Sequence, residues 1–248
     1  MLSVAYHYGN PTKSAENEYE HVKAENDWTS QQVGLYPDRL RAFCGANPLK
    51  SYALDEIDRC ARDPRLRAGL KLHFGNSDVD VHDADQLAQL KRVFHAANAN
   101  GMPIVAHIHS SVTKKRPYGR AEALIILNEL LPAAPDVPVQ IAHLAGAGPY
   151  DDPTDGAAAV FADAITRRDP RVARLFFDAS IVIPPMTARQ KALAVARMRQ
   201  IGLERVFFAS DAAIPGHGPR EYWAEFKTLP MTDSEFRTIA SNVAPYMR

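Results

Sequence analysis

Pro103-Ile104-Val105-Ala106-His107 is an apolar run of strand length that stops at a single imidazole. Three other runs end in the same way. Val137-Pro138-Val139-Gln140-Ile141-Ala142 stops at His143, Val206-Phe207-Phe208-Ala209-Ser210 at Asp211, and Gly69-Leu70-Lys71-Leu72 at His73. Long polar or helix-patterned stretches separate the runs, so the spacing reads as parallel strands joined by helices rather than as hairpins. In a parallel α/β barrel the carboxyl ends of the strands converge on one mouth, and chemistry occurs there. Imidazoles and a carboxylate gathered at that mouth suit a divalent metal ion, zinc in the first instance.

Working outward, strands are expected at 2–6, 40–45, 68–73, 104–109, 137–143, 172–178 and 205–211. Helices are expected at 17–35, 52–61, 84–99, 120–131, 156–167 and 188–201, with two more near the C-terminus. Leu87, Leu90, Val93, Phe94 and Ala97 keep a helical period in the third of these. Repeated strand-then-helix order predicts a parallel sheet with right-handed crossovers. The expected fold is a TIM-like (β/α) barrel in one domain over residues 1–248. It is incomplete, because seven strands are recognisable and a closed barrel of this type has eight.

Size and composition agree with that fold. The chain has 248 residues, close to the about 250 typical of one such barrel. Hydrophobic residues make up 46% and charged ones 23%, ordinary for a globular chain with a proper core. Net charge is zero, so no bulk field favours nucleic acid or an anionic membrane. No apolar stretch approaches the roughly 18 residues of a membrane span. Met1–Tyr6 lacks the basic start of a signal peptide. Cys44 and Cys60 are the only cysteines, which suits free thiols in the cytoplasm better than a disulfide framework.

Side chains alternate faces along a strand. Val105, His107 and His109 therefore share a face, as do Val139, Ile141 and His143, and Phe207, Ala209 and Asp211. If those faces point inward, His107, His143 and Asp211 form the top layer of the barrel. Each could instead mark only the point where a buried strand meets solvent, but three together favour a site. His73 is a candidate for binding substrate. His109 reads as a solvated loop residue. Asp178 could orient an imidazole or cap a strand end. Lys114-Lys115-Arg116 could grip a substrate carboxylate, although charge runs in loops are usually just solvated. His217 reads as surface. No nucleophile elbow or Cys–His pair stands out, so metal-activated water is the better account of catalysis. Asp211 could ligate the ion and hold the proton of the water, with His143 polarising or protonating the substrate.

These stretches resemble the amidohydrolase superfamily, specifically its amidohydrolase-related group, which includes aminocarboxymuconate-semialdehyde decarboxylase-like enzymes. Phe43-Cys44-Gly45-Ala46-Asn47-Pro48, Gly69–His73, Ile104–His107, Ile141-Ala142-His143-Leu144-Ala145-Gly146, Phe208–Asp211 and Ile239-Ala240-Ser241-Asn242-Val243-Ala244 carry the resemblance. It implies a metal-dependent barrel with His107 as a metal ligand, His143 as a catalytic or ligating histidine, and Asp211 as ligand and proton acceptor. It also implies a homodimer. The family opens with a strand ending in His-x-His, and no such pair stands at this N-terminus, so the seven strands would be the family's second to eighth. Open strand edges beside the gap would invite association. The expected activity is a metal-dependent hydrolase acting on a small organic substrate. A non-oxidative decarboxylase on the same scaffold, or a catalytically impaired fragment, is the alternative. Neither nucleic acid nor membrane is expected as a partner.

Overall fold

The computed structural model describes residues 1, 3, 5–8, 16–109, 118–146, 150–180, 186–211 and 218–247. Six parallel strands form one sheet in chain order. They are β1 (Cys44–Gly45), β2 (Leu70–His73), β3 (Ile104–His107), β4 (Val139–Ile141), β5 (Leu175–Asp178) and β6 (Val206–Phe207). The helices are α1 (Glu18–Gly34), α2 (Ala53–Arg62), α3 (Ala84–Ala99), α4 (Arg120–Ile125), α5 (Asp152–Thr166), α6 (Ala188–Ile201), α7 (Pro219–Phe226) and α8 (Asp233–Ser241). Strand–helix alternation in this order makes an incomplete TIM-like barrel, as the sequence predicts.

Local chemistry sets the helix starts. Asp83 accepts from the backbone N–H groups of Asp85 and Gln86 to cap α3, and Asp151 accepts from Thr154 to cap α5. Thr187 with Gln190 and Thr232 with Glu235 form reciprocal capping boxes at α6 and α8.

Register divides the sheet into two faces. Leu70, Ile104, Val139 and Leu175 stand in one row, and Leu72, Ala106, Ile141 and Phe177 in another. All eight join the core with the apolar sides of the helices, including Leu90, Val93, Phe94 and Ala97 of α3. Lys71, Val105, Gln140 and Phe176 form the row between them and point the opposite way.

Among the described residues six strands are present, where seven are expected. Ala5–His7, which overlaps the end of the first expected strand, forms a 3-10 turn, and residues 2 and 4 lie outside the described part. A short apolar run with an aromatic residue does not distinguish strand from turn by periodicity. The two edges of the sheet are covered. Asn26 of α1 donates from Nδ2 to Gly45 O at 3.0 Å and accepts from Gly45 N at 2.9 Å. At the other edge Asn242 donates to Leu203 O and Val206 O at 2.7 and 2.8 Å.

The expectation of free thiols is corrected. Cys44 and Cys60 form a disulfide with Cα atoms 6.0 Å apart, because β1 and α2 turn both side chains into the same buried layer. Among the described residues, no helix is long and apolar enough to cross a membrane.

Candidate active site

Four groups named from the sequence meet at the carboxyl ends of the strands. His73 ends β2 and His107 ends β3, in register with one another, and their ring centroids lie 4.0 Å apart. The His143 ring lies 4.5 Å from that of His107. His143 Nε2 stands 3.8 Å from Asp211 Oδ2. His109 is a step further out, 6.4 Å from His107, and packs near Tyr118.

His143 reaches this cluster by a route that strand alternation does not predict. β4 ends at Ile141, and Val139 and Ile141 face the helices rather than the site. His143, Leu144 and Ala145 then adopt left-handed backbone with φ of 56°, 47° and 71°. Each such residue costs on the order of 1 kcal/mol. The turn carries the imidazole round to the opposite face, beside Gln140. Asp211 has φ 44° and also lies in the left-handed region. Strained non-glycine backbone in the segments that follow β4 and β6 is a frequent mark of a working site.

A buried network fixes the His143 ring. Asp178, at the end of β5, accepts from Gln140 Nε2 at 2.8 Å, from the His143 backbone N–H at 3.0 Å and from Ser180 Oγ at 2.6 Å. His143 Nδ1 lies 2.9 Å from Ser180 O and 2.8 Å from Ser180 Oγ. The Ser180 hydroxyl proton is already donated to Asp178, and a carbonyl oxygen only accepts, so Nδ1 carries the proton. In the neutral ring Nε2 then keeps its lone pair, on the side of Asp211. Burial pushes the Asp178 carboxyl up, but His143, the Ser180 hydroxyl, the His143 N–H and Lys71 together hold it below its ordinary value.

Burial shifts other groups at this mouth. Burial, with Lys71 and His143 adding to it, brings His73 down to about 3. Burial, then His73, His143 and Lys71, holds His107 well below the ordinary histidine value. Lys71 is lowered by its own burial, against the pull of Asp178 and Asp211.

A cavity of about 800 Å³ opens on this face, lined among others by Lys71, Gln140, His143, Asp178, Asp211 and Tyr246. That volume suits a small organic ligand. Ser180, Gln140 and Tyr246 were not singled out by the sequence. Gln140 carried a signal, as the one polar side chain within an apolar run. Lys114–Arg116 and His217 lie outside the described residues.

The donors suit a divalent ion in type. Among the described residues His107 Nε2 is buried with no hydrogen-bond partner, so its lone pair or proton is available to a ligand. Convergence is only partial. Among the described residues the one trio of ligand atoms within 4.8 Å of each other is Cys44, Glu56 and Cys60. That trio does not make a metal centre. Its cysteines are bonded to one another. Glu56 accepts from Asn26 at 2.6 Å and from Arg59 Nε at 2.8 Å, so a guanidinium already balances the carboxylate.

The sequence profile of the amidohydrolase family matches residues 3–242. No curated protein matches the chain by sequence. Among solved structures, 5-carboxyvanillate decarboxylase from Sphingomonas paucimobilis superposes with a TM-score of 0.62 at 19% identity, covering 94% of this chain and 73% of its own. A 2,6-dihydroxybenzoate decarboxylase complexed with 2,6-dihydroxybenzoate gives 0.58 at 14% identity, covering 90% and 74%. An amidohydrolase from Burkholderia multivorans with bound zinc gives 0.57 at 11% identity, covering 88% and 76%. At these identities the likeness is one of fold.

Proposed function

The chain belongs to the amidohydrolase family, and from that premise we propose that it is a metal-dependent hydrolase acting on a small organic substrate. The observation that carries this reading is the buried, unpartnered Nε2 of His107, set among His73, His143 and Asp211. His107 and Asp211 would hold the ion, with zinc expected from the donor types. A bound divalent ion supplies activated water at neutral pH.

The remaining work falls to the side chains. His143 keeps a lone pair at Nε2 because Ser180 O holds the proton at Nδ1, so Nε2 can take a proton from the substrate side and return it. Asp211 lies 3.8 Å from that nitrogen, beyond direct hydrogen-bond reach. Its side chain is 62% exposed, so it stands where substrate enters. His73 and Lys71 flank the position where a polar or anionic part of the substrate would rest.

A non-oxidative decarboxylase on the same scaffold is the second reading, favoured by the buried Lys71 on the cavity wall. An ammonium there can anchor a carboxylate. Assays of the zinc-reconstituted protein on lactones, amides and aromatic carboxylic acids separate the two. Ring opening or amide cleavage without CO₂ supports the hydrolase, and CO₂ release replaces it with the lyase. A metal-loaded protein that converts none of these substrate classes would leave the impaired-fragment reading in place of both.

A further inference from the structure

Tyr246 sits in the C-terminal 3-10 turn Pro245–Met247, far along the chain from Gln140, His143 and Asp178. Its ring packs edge-on against Phe43 with centroids 5.0 Å apart. Its hydroxyl donates to Gln140 Oε1. That bond decides which way the Gln140 amide faces. With Oε1 turned to the phenol, Nε2 is turned to Asp178 and donates to Oδ2 at 2.8 Å. Asp178 Oδ1 in turn holds the His143 backbone N–H and the Ser180 hydroxyl. Ser180 O receives the His143 Nδ1 proton. One continuous line of hydrogen bonds runs from the C-terminal turn to the imidazole.

We propose that Tyr246 is a positioning residue for His143, acting through Gln140, Asp178 and Ser180 to keep the imidazole in its Nδ1–H form with Nε2 open to the cavity. Three features support it. Every donor and acceptor in the line has one assignment consistent with the others. Gln140, Asp178 and His143 are buried, so the hydrogen bonds among them are stronger than they would be in water. Burial, with Asp178 adding to it, raises the Tyr246 phenol above its ordinary value, and the hydroxyl remains a donor across the neutral range. Removing the phenol leaves the Gln140 amide free to turn, and Asp178 then loses a donor. The carboxylate draws instead on Ser180 and the His143 backbone, and the imidazole loses its fixed orientation. Outer partners of this kind are commonly worth about 10- to 100-fold in activity.

The effect on turnover rests on His143 as the proton-handling residue, whereas the tautomer is readable in the resting protein without any substrate. The test is ring-¹⁵N NMR of the full chain at fixed neutral pH, comparing the native protein with Tyr246→Phe, Gln140→Met and the double variant. Tyr246→Phe keeps the ring on Phe43 and removes only the hydroxyl. The native His143 should read as the Nδ1–H form, and each single variant should read as a mixture with Nε2–H. The double variant should read no further shifted than the larger single one, because both cut the same line. With an active substrate in hand, Tyr246→Phe should lower kcat about tenfold with KM nearly unchanged. His143 signals unaltered in both single variants, or fully additive shifts in the double, would overturn the proposal. A shifted tautomer with unchanged kcat would uphold the positioning and count against the catalytic reading of His143.

Discussion

Asn26 occupies the place of a neighbouring strand beside Gly45. Its amide donates to the Gly45 carbonyl at 3.0 Å and accepts from the Gly45 N–H at 2.9 Å, the paired exchange that strands make with each other. The same Nδ2 also reaches Glu56 at 2.6 Å. One side chain therefore closes a sheet edge and supports a fully buried carboxylate.

Asn26→Ala should lower stability by about 1–3 kcal/mol, since it leaves buried polar groups unpaired, and it should uncover the β1 edge. Thermal unfolding and light scattering check this, with a lower Tm and increased self-association expected. Native homodimerisation remains a proposal, to be read from sedimentation of the unsubstituted chain.

Gly69 lies against the aromatic ring of Phe43, where an added Cβ would come within 2.2 Å of the ring. Gly69→Ala should overpack this contact and cost about 1–3 kcal/mol. A matching fall in Tm checks it. Because Phe43 supports Tyr246, the His143 ring signals should also move.

Much of this architecture is legible in the sequence, and the exceptions have particular causes. Val105 and His107 sit on the site face as alternation predicts, because β3 runs unbroken through Ile104–His107. The run ending at His143 gives the opposite parity. It is apolar at nearly every position, so nothing in it marks the end of β4 at Ile141 or the left-handed turn that follows. Asp178 was legible as a polar strand end, but its role depends on Gln140 and Ser180. Tyr246 carried no signal, because only the folded chain brings the C-terminal turn to β4. The cysteines read as thiols since neither spacing nor composition reveals that β1 and α2 share a layer.

The disulfide between Cys44 and Cys60 closes a loop of 16 residues in sequence separation. On the chain-entropy account a loop of that size is worth about 3 kcal/mol. Denatured, unreduced protein should show no reactive thiol, and Cys60→Ser should lower Tm. Two reactive thiols in the unreduced protein would argue for free cysteines. Such a bond persists in oxidising surroundings, so it does not favour the expected cytoplasmic location.

His107 and His143 should differ in role. His107→Ala should lose bound metal, because it removes the buried, unpartnered nitrogen. His143→Ala should keep the metal and lower turnover by about 10²- to 10⁴-fold, the usual worth of a general acid or base. Metal content and kcat measured on the same preparations check the split. Equal loss of metal from both variants would make His143 a ligand.

Metal content bears on this chemistry before any substrate is known. The chain is stripped with chelator, reconstituted with zinc, desalted and measured by elemental analysis beside Asp211→Asn. One zinc ion per native chain is expected, with lower occupancy and metal-dependent turnover reduced by orders of magnitude in Asp211→Asn. No bound metal in the reconstituted native protein would contradict it.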